Sequence, residues 1–461
     1  MINTTLTKKI LNTLLKTGGS FSEVFVQKKE VNNIRLEDGK IENSSSGFEL
    51  GCGLRLIYKD STFYAYVDSL QKDIILNAAQ ILSAAVNETS KIKVLNLGNV
   101  YSSYITQVKK HPSDIIAENK KKILLSVDSF ARNYSHYIIQ VSSNLSDLEE
   151  EIYIANSEGI MCHDSNTKVM LSVSVVAREK KEIRTGYKSL ARTSGYEVFD
   201  GQKPSVVSGE AARIAVTMLK AVNAPSGSQQ VVIGPAFGGV IFHEACGHGL
   251  EADAILKDAS VFKDKIGKKI ANNIVTAIDD PTMPYHWGSY AFDGEGFPSQ
   301  ENILIKEGIL QNYIFDYKTA KKMNKKQTGN GRRQSYRDIP IPRMSNTYLA
   351  QGKEDPGSIL KSVKKGIYAK EFSGGQVDPA IGDFVFGISE GYMIEEGVVT
   401  KPIKGATLIG NGPEILNRIT AIGNNLDFAP GFCGKGGQAA SNEVGQPTIL
   451  LSEITVGGTE I

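Results

Sequence analysis

Ile241-Phe-His-Glu-Ala-Cys-Gly-His-Gly-Leu-Glu251 is the stretch on which the reading of this 461-residue chain turns. Two of the six histidines stand in it, His243 and His248, and a carboxylate, Glu244, follows the first. Neutral imidazole is the commonest protein ligand for zinc, and a carboxylate beside a metal can take a proton from an attacking water. In the familiar HExxH arrangement the histidines lie on one helical face, four residues apart. Here the second follows five residues after the first, which on a regular helix turns the side chains about 140° from one another. A shared metal therefore requires the helix to end, bulge or turn between them, and Gly247 and Gly249 flank His248 to permit it. The expectation is a helix beginning near Pro235–Gly238 that carries His243 and Glu244 in its later turns. It should then stop, or widen by a π-type bulge, over Cys246–Gly249 with Gly247 as hinge. The same residues also fit an ordinary helix under a buried run, with no metal.

Working outward, the composition changes shortly before this stretch. Of 45 glycines, 32 lie beyond residue 228, so the second half is rich in turns and close backbone approaches. Ile305-Lys-Glu-Gly-Ile309 and Ile394-Glu-Glu-Gly-Val398 read as hairpins within it. Asn223-Ala-Pro-Ser-Gly-Ser228 reads as a linker. Before it, Leu6, Ile10 and Leu14 mark a helix stopped by Gly18-Gly19, and strands follow from Phe21 to Val67 with a turn at Glu37-Asp-Gly-Lys40. Ile74, Ala78, Ile81, Leu82 and Ala85 give a second helix after a cap at Ser69; Ser113 opens a third with Ile116, Ile123, Val127 and Phe130 inward. Strands resume from Tyr137 to Arg192, and Pro204 suits the first turn of a helix running to Val222. The fold class is α+β. An α+β domain over residues 1–224 precedes a glycine-rich, mostly β domain over residues 229–461 that carries the histidine helix.

An apolar fraction of 41% and a charged fraction of 22% describe a globular protein. A net charge of +2 is too small to argue for nucleic acid or an anionic membrane as partner. Cys52, Cys162, Cys246 and Cys433 form no CxxC pair, which fits a reducing compartment. No signal-peptide core follows Lys8 and Lys9, and the longest near-apolar run, residues 231–242, is too short to span a bilayer. These features point to the cytoplasm.

Gly431-Phe-Cys-Gly-Lys-Gly-Gly-Gln438 is the second informative stretch. A cysteine set among glycines is accessible, and Lys435 or a metal would favour its thiolate. Two imidazoles and one thiolate would leave a fourth position open on a tetrahedral zinc, as in catalytic sites. A buried free cysteine is the other reading.

HEACGHGLEAD (243–253), FDGEG (292–296), TGNGRRQSYRDIPIPRMSNTYL (328–349), GGQVDPAIGDFVF (374–386) and PGFCGKGGQ (430–438) together resemble the TldD/PmbA (TldE) family of metallopeptidases, over nearly the whole chain. The resemblance implies His243, His248 and Cys433 as ligands of one zinc ion and Glu244 as general base. It implies the catalytic, TldD-type half of the family, because TldE/PmbA-like subunits lack the HExxxH residues. It further implies hydrolysis of unfolded or short peptides held as an extended strand, and pairing with a TldE/PmbA-like subunit, or with a second copy where none exists. A non-catalytic peptide-binding subunit and a metal-dependent amidohydrolase acting on a small molecule are the alternatives. Asp293 and Glu295 could orient a ligand histidine or sit in a solvated turn. His286 could touch substrate. Arg332, Arg333 and Arg337 could hold a peptide carboxylate, or hold the glycine-rich loop against acidic neighbours.

Overall fold

The computed structural model describes residues 2–86, 92–102, 106–201, 203–378 and 380–458. Helix α1 (Thr4–Leu14) starts on Asn3, whose side chain accepts the Leu6 N–H, and Gly18 and Gly19 turn the chain away from it at positive φ. Strands β1 (Phe21–Glu37) and β2 (Lys40–Tyr58) form a long hairpin at the expected turn, with Asp38 and Gly39 both at positive φ. Then come β3 (Ser61–Val67), α2 (Lys72–Ala84), β4 (Gly98–Asn99), α3 (Ala117–Arg132), β5 (Ile138–Asn156), β6 (Ile160–Glu179) and β7 (Glu182–Arg192). The single turn α4 (Val198–Gly201) and α5 (Pro204–Met218) close the first half.

These strands make one sheet in the order β3-β2-β1-β5-β6, with β4 and β7 both pairing to β6. Its two faces follow the period of two. Along β1, Val24, Val26, Ile34 and Leu36 lie under helices, α1 and α2 covering one end and α3 and α5 the other. Glu23, Phe25 and Gln27 point the opposite way, into the second half of the chain.

Two helices are rotated from the face the sequence suggested: Leu82 and Val127 are buried as expected, and Ala78 and Ile123 pack against the core, but other expected residues are not. In α2 the buried residues are Ile75, Leu76, Ala79 and Leu82, while Ile74 and Ile81 are exposed, Ile81 by 66%. In α3 they are Leu124, Val127 and Ala131, while Ile116 and Phe130 are exposed. Each helix carries apolar residues on adjoining stripes one residue apart. Ser69 binds the Gln71 N–H and does not cap α2, and a short 3₁₀ turn over Pro112–Asp114 precedes α3. Helix α5 ends at Met218, and Val222 is exposed in a strand.

The second half runs β8 (Val222–Asn223), β9 (Gly227–Ile233), α6 (Val240–Ala245), α7 (Ala252–Leu256), β10 (Ala277–Asp279), β11 (Asn302–Lys306), β12 (Ile309–Leu310) and α8 (Tyr317–Lys322). It continues with β13 (Gly331–Arg332), β14 (Ile341–Pro342), β15 (Asn346–Leu349), α9 (Pro356–Lys361), β16 (Lys365–Asp378), β17 (Asp383–Glu395), β18 (Val398–Lys404) and β19 (Thr407–Asn411). Helix α10 (Gly412–Arg418), β20 (Ile419–Ile422), β21 (Asp427–Lys435), β22 (Gln438–Gln446) and β23 (Ile449–Gly457) complete it. The fold is α+β, with both hairpins after residue 300 at their expected turns.

Strands β16, β9, β23, β19 and β17 pair in that order, and β17 pairs back onto β16, so the five close on themselves. A second sheet runs β12-β11-β10-β15-β22-β21, and α6 packs between it and the closed sheet in a shared core. The stretch between residues 223 and 228 is short and tied down, since β8 pairs with β18 and Gly227 already belongs to β9.

The halves meet through buried charge. Arg55 of β2 donates to Glu23 and to Glu295 at 2.6 Å each, and Arg333 pairs with the other oxygen of Glu23. Tyr336 donates its N–H to Gln27, and its ring lies where a Cβ on Gly51 would be. Removing one partner from such a network strands the others without water. Arg55→Met is expected to lower the unfolding free energy by about 3–5 kcal/mol, read from urea denaturation of the full chain.

Candidate metal centre

The segment leading into the histidines is forced by close packing. After Pro235, Ala236 takes a positive φ of 62°, rare for a residue with a Cβ, and a 3₁₀ turn leads into α6. Gly238 and Gly239 lie against β22; a Cβ on Gly239 would stand 2.7 Å from the Gly445 carbonyl oxygen. Helix α6 stops at Ala245. Cys246, at φ −128° and ψ −47°, leaves the helical region, and residues 247–250 form a 3₁₀ turn. The helix therefore terminates within the expected window and does not widen by a π bulge. The hinge is Cys246, not Gly247. Gly247 is needed for room, because a Cβ there would overlap the Met344 sulfur. The break brings His243 and His248 together, with ring centroids 5.0 Å apart and planes at 83°.

Cys433 joins them from β21, and the three donor atoms all lie within 4.8 Å of one another. His248 Nε2 is 3.3 Å from Cys433 Sγ. The hairpin bearing the cysteine is held from behind by Arg343, fully buried, which donates to the Cys433 and Gln438 carbonyls. Glu244 Oε2 stands 3.7 Å from His248 Nε2, and its side chain is 32% exposed. It thus borders the cluster and reaches solvent.

Behind the donors lies a polar layer that the sequence reading missed. Glu251, fully buried, meets His248 Nδ1 at 2.9 Å and accepts Lys435 Nζ at 2.9 Å; Lys435 also reaches Asp253 at 2.7 Å. This fixes Nε2 as the His248 nitrogen that faces Cys433. The Asn442 amide lies 3.3 Å from His243 Nε2, and its Oδ1 has no partner. The amide nitrogen is nearly equidistant from both His243 ring nitrogens, at 3.4 and 3.3 Å, so it meets the ring as a whole and not a single N–H. The one available signal was spacing, as His248 and Glu251 stand three residues apart within the motif.

The titrating groups follow from this geometry. Burial raises the Cys433 thiol, but hydrogen bonds from His243 and His248 and their charge outweigh it and bring it down to about 4. Burial lowers His248, yet Glu251 and Cys433 hold it well above the ordinary imidazole range. Burial raises Glu251, and His248 and Lys435 together pull it to about 2. A thiolate and two imidazoles at these distances form a donor set suited to zinc. Cys246, inside the motif, is fully buried and pushed up by burial, so it is inert packing.

The remaining residues singled out from the sequence lie elsewhere. Asp293 and Glu295 neither touch an imidazole nor sit in a solvated turn; both are buried. Asp293 accepts the N–H groups of Glu295, Phe297 and Gly331, and Glu295 binds Arg55 and the Tyr317 N–H. Two glycines beside acidic residues look solvent-exposed in sequence, because the partner that buries them is some 240 residues away. His286 is clamped by Glu443 at 2.6 Å. Arg333 and Arg337 pair with Glu23 and Glu49 of the first sheet and with Asp68 just after β3, holding the loop against acidic neighbours. Arg332 donates to the carbonyls of Met344 and Ser441.

Residues 22–86, 110–219 and 226–458 match, in turn, domain 1, the central domain and the C-terminal domain of the PmbA/TldA metallopeptidases. The chain is 40% identical to a metalloprotease TldD homolog of Haemophilus influenzae over 452 residues, covering 95% of this chain and 93% of that one. It is 26% identical to a zinc metalloprotease TldD homolog of Saccharolobus solfataricus, covering 96% and 97%. The crystal structure of TldE from Thermococcus kodakarensis shares the fold, with a TM-score of 0.80 at 18% identity over 98% of this chain and 100% of that one.

Two positions, Gly247 and Glu251, test the geometry without touching a donor atom. Gly247→Ala is expected to weaken zinc binding, and adding Met344→Ala should restore it by clearing the overlap. Glu251→Gln should weaken zinc about 10–100-fold, as loss of a partner behind a ligand histidine does. Competition with a chromophoric chelator measures both.

Proposed function

The chain belongs to the PmbA/TldD metallopeptidase family as a TldD-type member, and from that premise we propose that it is a zinc-dependent peptidase. His243, His248 and Cys433 hold one ion per chain, and Glu244 serves as general base. The observation that carries this reading is the convergence of those three donors beside a carboxylate that is not among them.

His243, His248 and Cys433 would hold the ion through three protein atoms, a ligand count that catalytic sites use to admit water or substrate. When bound, the ion supplies a positive charge that polarises the scissile carbonyl and acidifies water. Glu244 takes the proton of the attacking water and passes it to the leaving amine, its part-exposed position suiting exchange in both directions. Glu251 holds His248 in one tautomer through Nδ1, and Lys435 keeps Glu251 ionised. Asn442 steadies His243.

Strand β21 is the outermost strand of its sheet and carries Cys433, which supports a substrate bound as an added strand. Main-chain hydrogen bonds would then hold unfolded or short peptides with little regard to sequence. We read the partner as a TldE/PmbA-like subunit, or a second copy of this chain, the compartment as cytoplasmic, and residues 1–224 and 229–461 as two domains. Among the described residues no helix is long and apolar enough to cross a membrane.

Elemental analysis of the purified chain is expected to give about one zinc per chain. None would favour a non-catalytic peptide-binding subunit. Glu244→Gln should keep the zinc and lower peptide turnover about 10²–10⁴-fold; wild-type turnover in that variant removes Glu244 from the mechanism. Cys433→Ala should lose the zinc, and in the wild-type chain zinc should shield Cys433 from alkylation until a chelator is added. Turnover of small amides without turnover of unfolded peptides would replace the peptidase reading with an amidohydrolase.

A further inference from the structure

A cavity of about 360 Å³ lies between the first sheet and the β21–β22 hairpin. Phe432 and Ser441 line it, and along their strands these residues alternate with Cys433 and Asn442, which face the histidines. The Phe432 and Ser441 side chains therefore leave the hairpin on the face opposite the Cys433 thiol, while Ala440, the cross-strand partner of Cys433, also borders the cavity. Its walls carry five aromatic rings, Phe25, Trp287, Tyr290, Phe292 and Phe432.

Two buried cations converge here on one residue. Lys168 Nζ donates to the Ser441 hydroxyl and, at 2.7 Å, to the Trp287 carbonyl, and it sits 4.9 Å from the centre of the Trp287 ring. Arg332 donates to the Ser441 carbonyl at 2.7 Å and the Met344 carbonyl at 2.6 Å, and lies 5.0 Å from the centre of the Tyr290 ring. All their acceptors are neutral, and among the described residues neither cation has an ion-pair partner. The carboxylates on the same walls are engaged elsewhere. Asp147 binds Lys120 and Tyr196, Glu150 accepts from Gln27, and Asp293 accepts three backbone N–H groups. Asp164 accepts the Ser165 N–H and is pushed up by burial to about 7.

Buried charge without a counter-charge is costly; Arg55 and Arg333 meet carboxylates, while Arg343, also held by carbonyls, does not line this cavity. We propose that this cavity binds the carboxylate of a small organic ligand with an aromatic or apolar body, Lys168 and Arg332 receiving the carboxylate and the rings receiving the body. The size suits one amino-acid derivative or the end residue of a short peptide. Burial, reinforced by Arg332 and only partly offset by the more distant Glu150 and Glu443, pushes the Lys168 ammonium down to about 7, a strain that a bound anion relieves. The proposal does not rest on the peptidase reading, because none of His243, Glu244, His248 and Cys433 lines the cavity.

Trp287 is the single tryptophan of the chain, so its emission reports directly on this cavity. The probe is N-acetylphenylalanine, titrated into the full-length protein with a chelator present. A saturable change in emission is expected, with N-acetylphenylalanine amide binding about tenfold more weakly or worse, since it lacks the charge. Lys168→Met and, separately, Arg332→Met should weaken the acid by about tenfold or more while leaving the amide unchanged. The wild-type comparison of acid with amide stands even where a variant folds poorly. Equal binding of acid and amide overturns the proposal. So does acid binding that needs the metal, and so does displacement of the acid by an equal concentration of inorganic phosphate, which would mark a site without preference for carboxylate.

Discussion

The ion pairs of Arg55 and Arg333 with Glu23 and Glu295 are the constraint on which the molecule depends. They join a β-hairpin near the start of the chain to loops about 240 and 310 residues later. Each oxygen of Glu295 accepts a hydrogen bond, from Arg55 and from the Tyr317 N–H, while burial pushes its carboxyl up to about 8 despite the Arg55 charge. A buried network of this kind adds little net stability over an apolar one. What it adds is register, because a charged fork meets its partner in one geometry only. The Tyr336 ring set against Gly51 gives the same contact a steric lock. The loop so anchored runs on into the residues that support Cys433 from behind.

The cluster of His243, His248 and Cys433 relies on two further devices of different kinds. One is a broken helix, in which a single non-helical residue, Cys246, brings two imidazoles together that a regular helix would hold apart. The other is close packing, in which Gly239 and Gly247 let backbone and thioether approach where a methyl group would not fit. The left-handed Ala236 at the entrance shows that the surrounding packing over-determines the segment. Strain of that size persists only where neighbours hold it in place.

Much of this was legible in the sequence. The hairpin at Asp38-Gly39 and those after residue 300 follow from glycine's access to positive φ, a local property. The helix break was legible too, because the spacing of the histidines sets a geometric problem with few solutions. What was not legible depended on tertiary partners. The inward faces of α2 and α3 differ from the expected ones by a rotation that periodicity alone does not resolve, since Ile74 and Ile75 are equally apolar. Asp293 and Glu295 resemble turn residues until Arg55 is placed against them. Gly247 was read for its flexibility, whereas its role is its lack of volume. Glu251 was overlooked because a carboxylate three residues beyond a histidine is unremarkable until its burial is known.

The distribution of donors along the chain has a consequence for biosynthesis. His243 and His248 emerge from the ribosome together, but Cys433 follows 185 residues later on a hairpin near the end of the described chain. A nascent polypeptide that has reached residue 432 holds both imidazoles and lacks the thiolate, whatever part of it has already folded. At translation rates of roughly 5–20 residues per second, that interval lasts on the order of ten to forty seconds. The donor cluster is therefore a late product of synthesis, and a chain cut short before the last hairpin cannot assemble it.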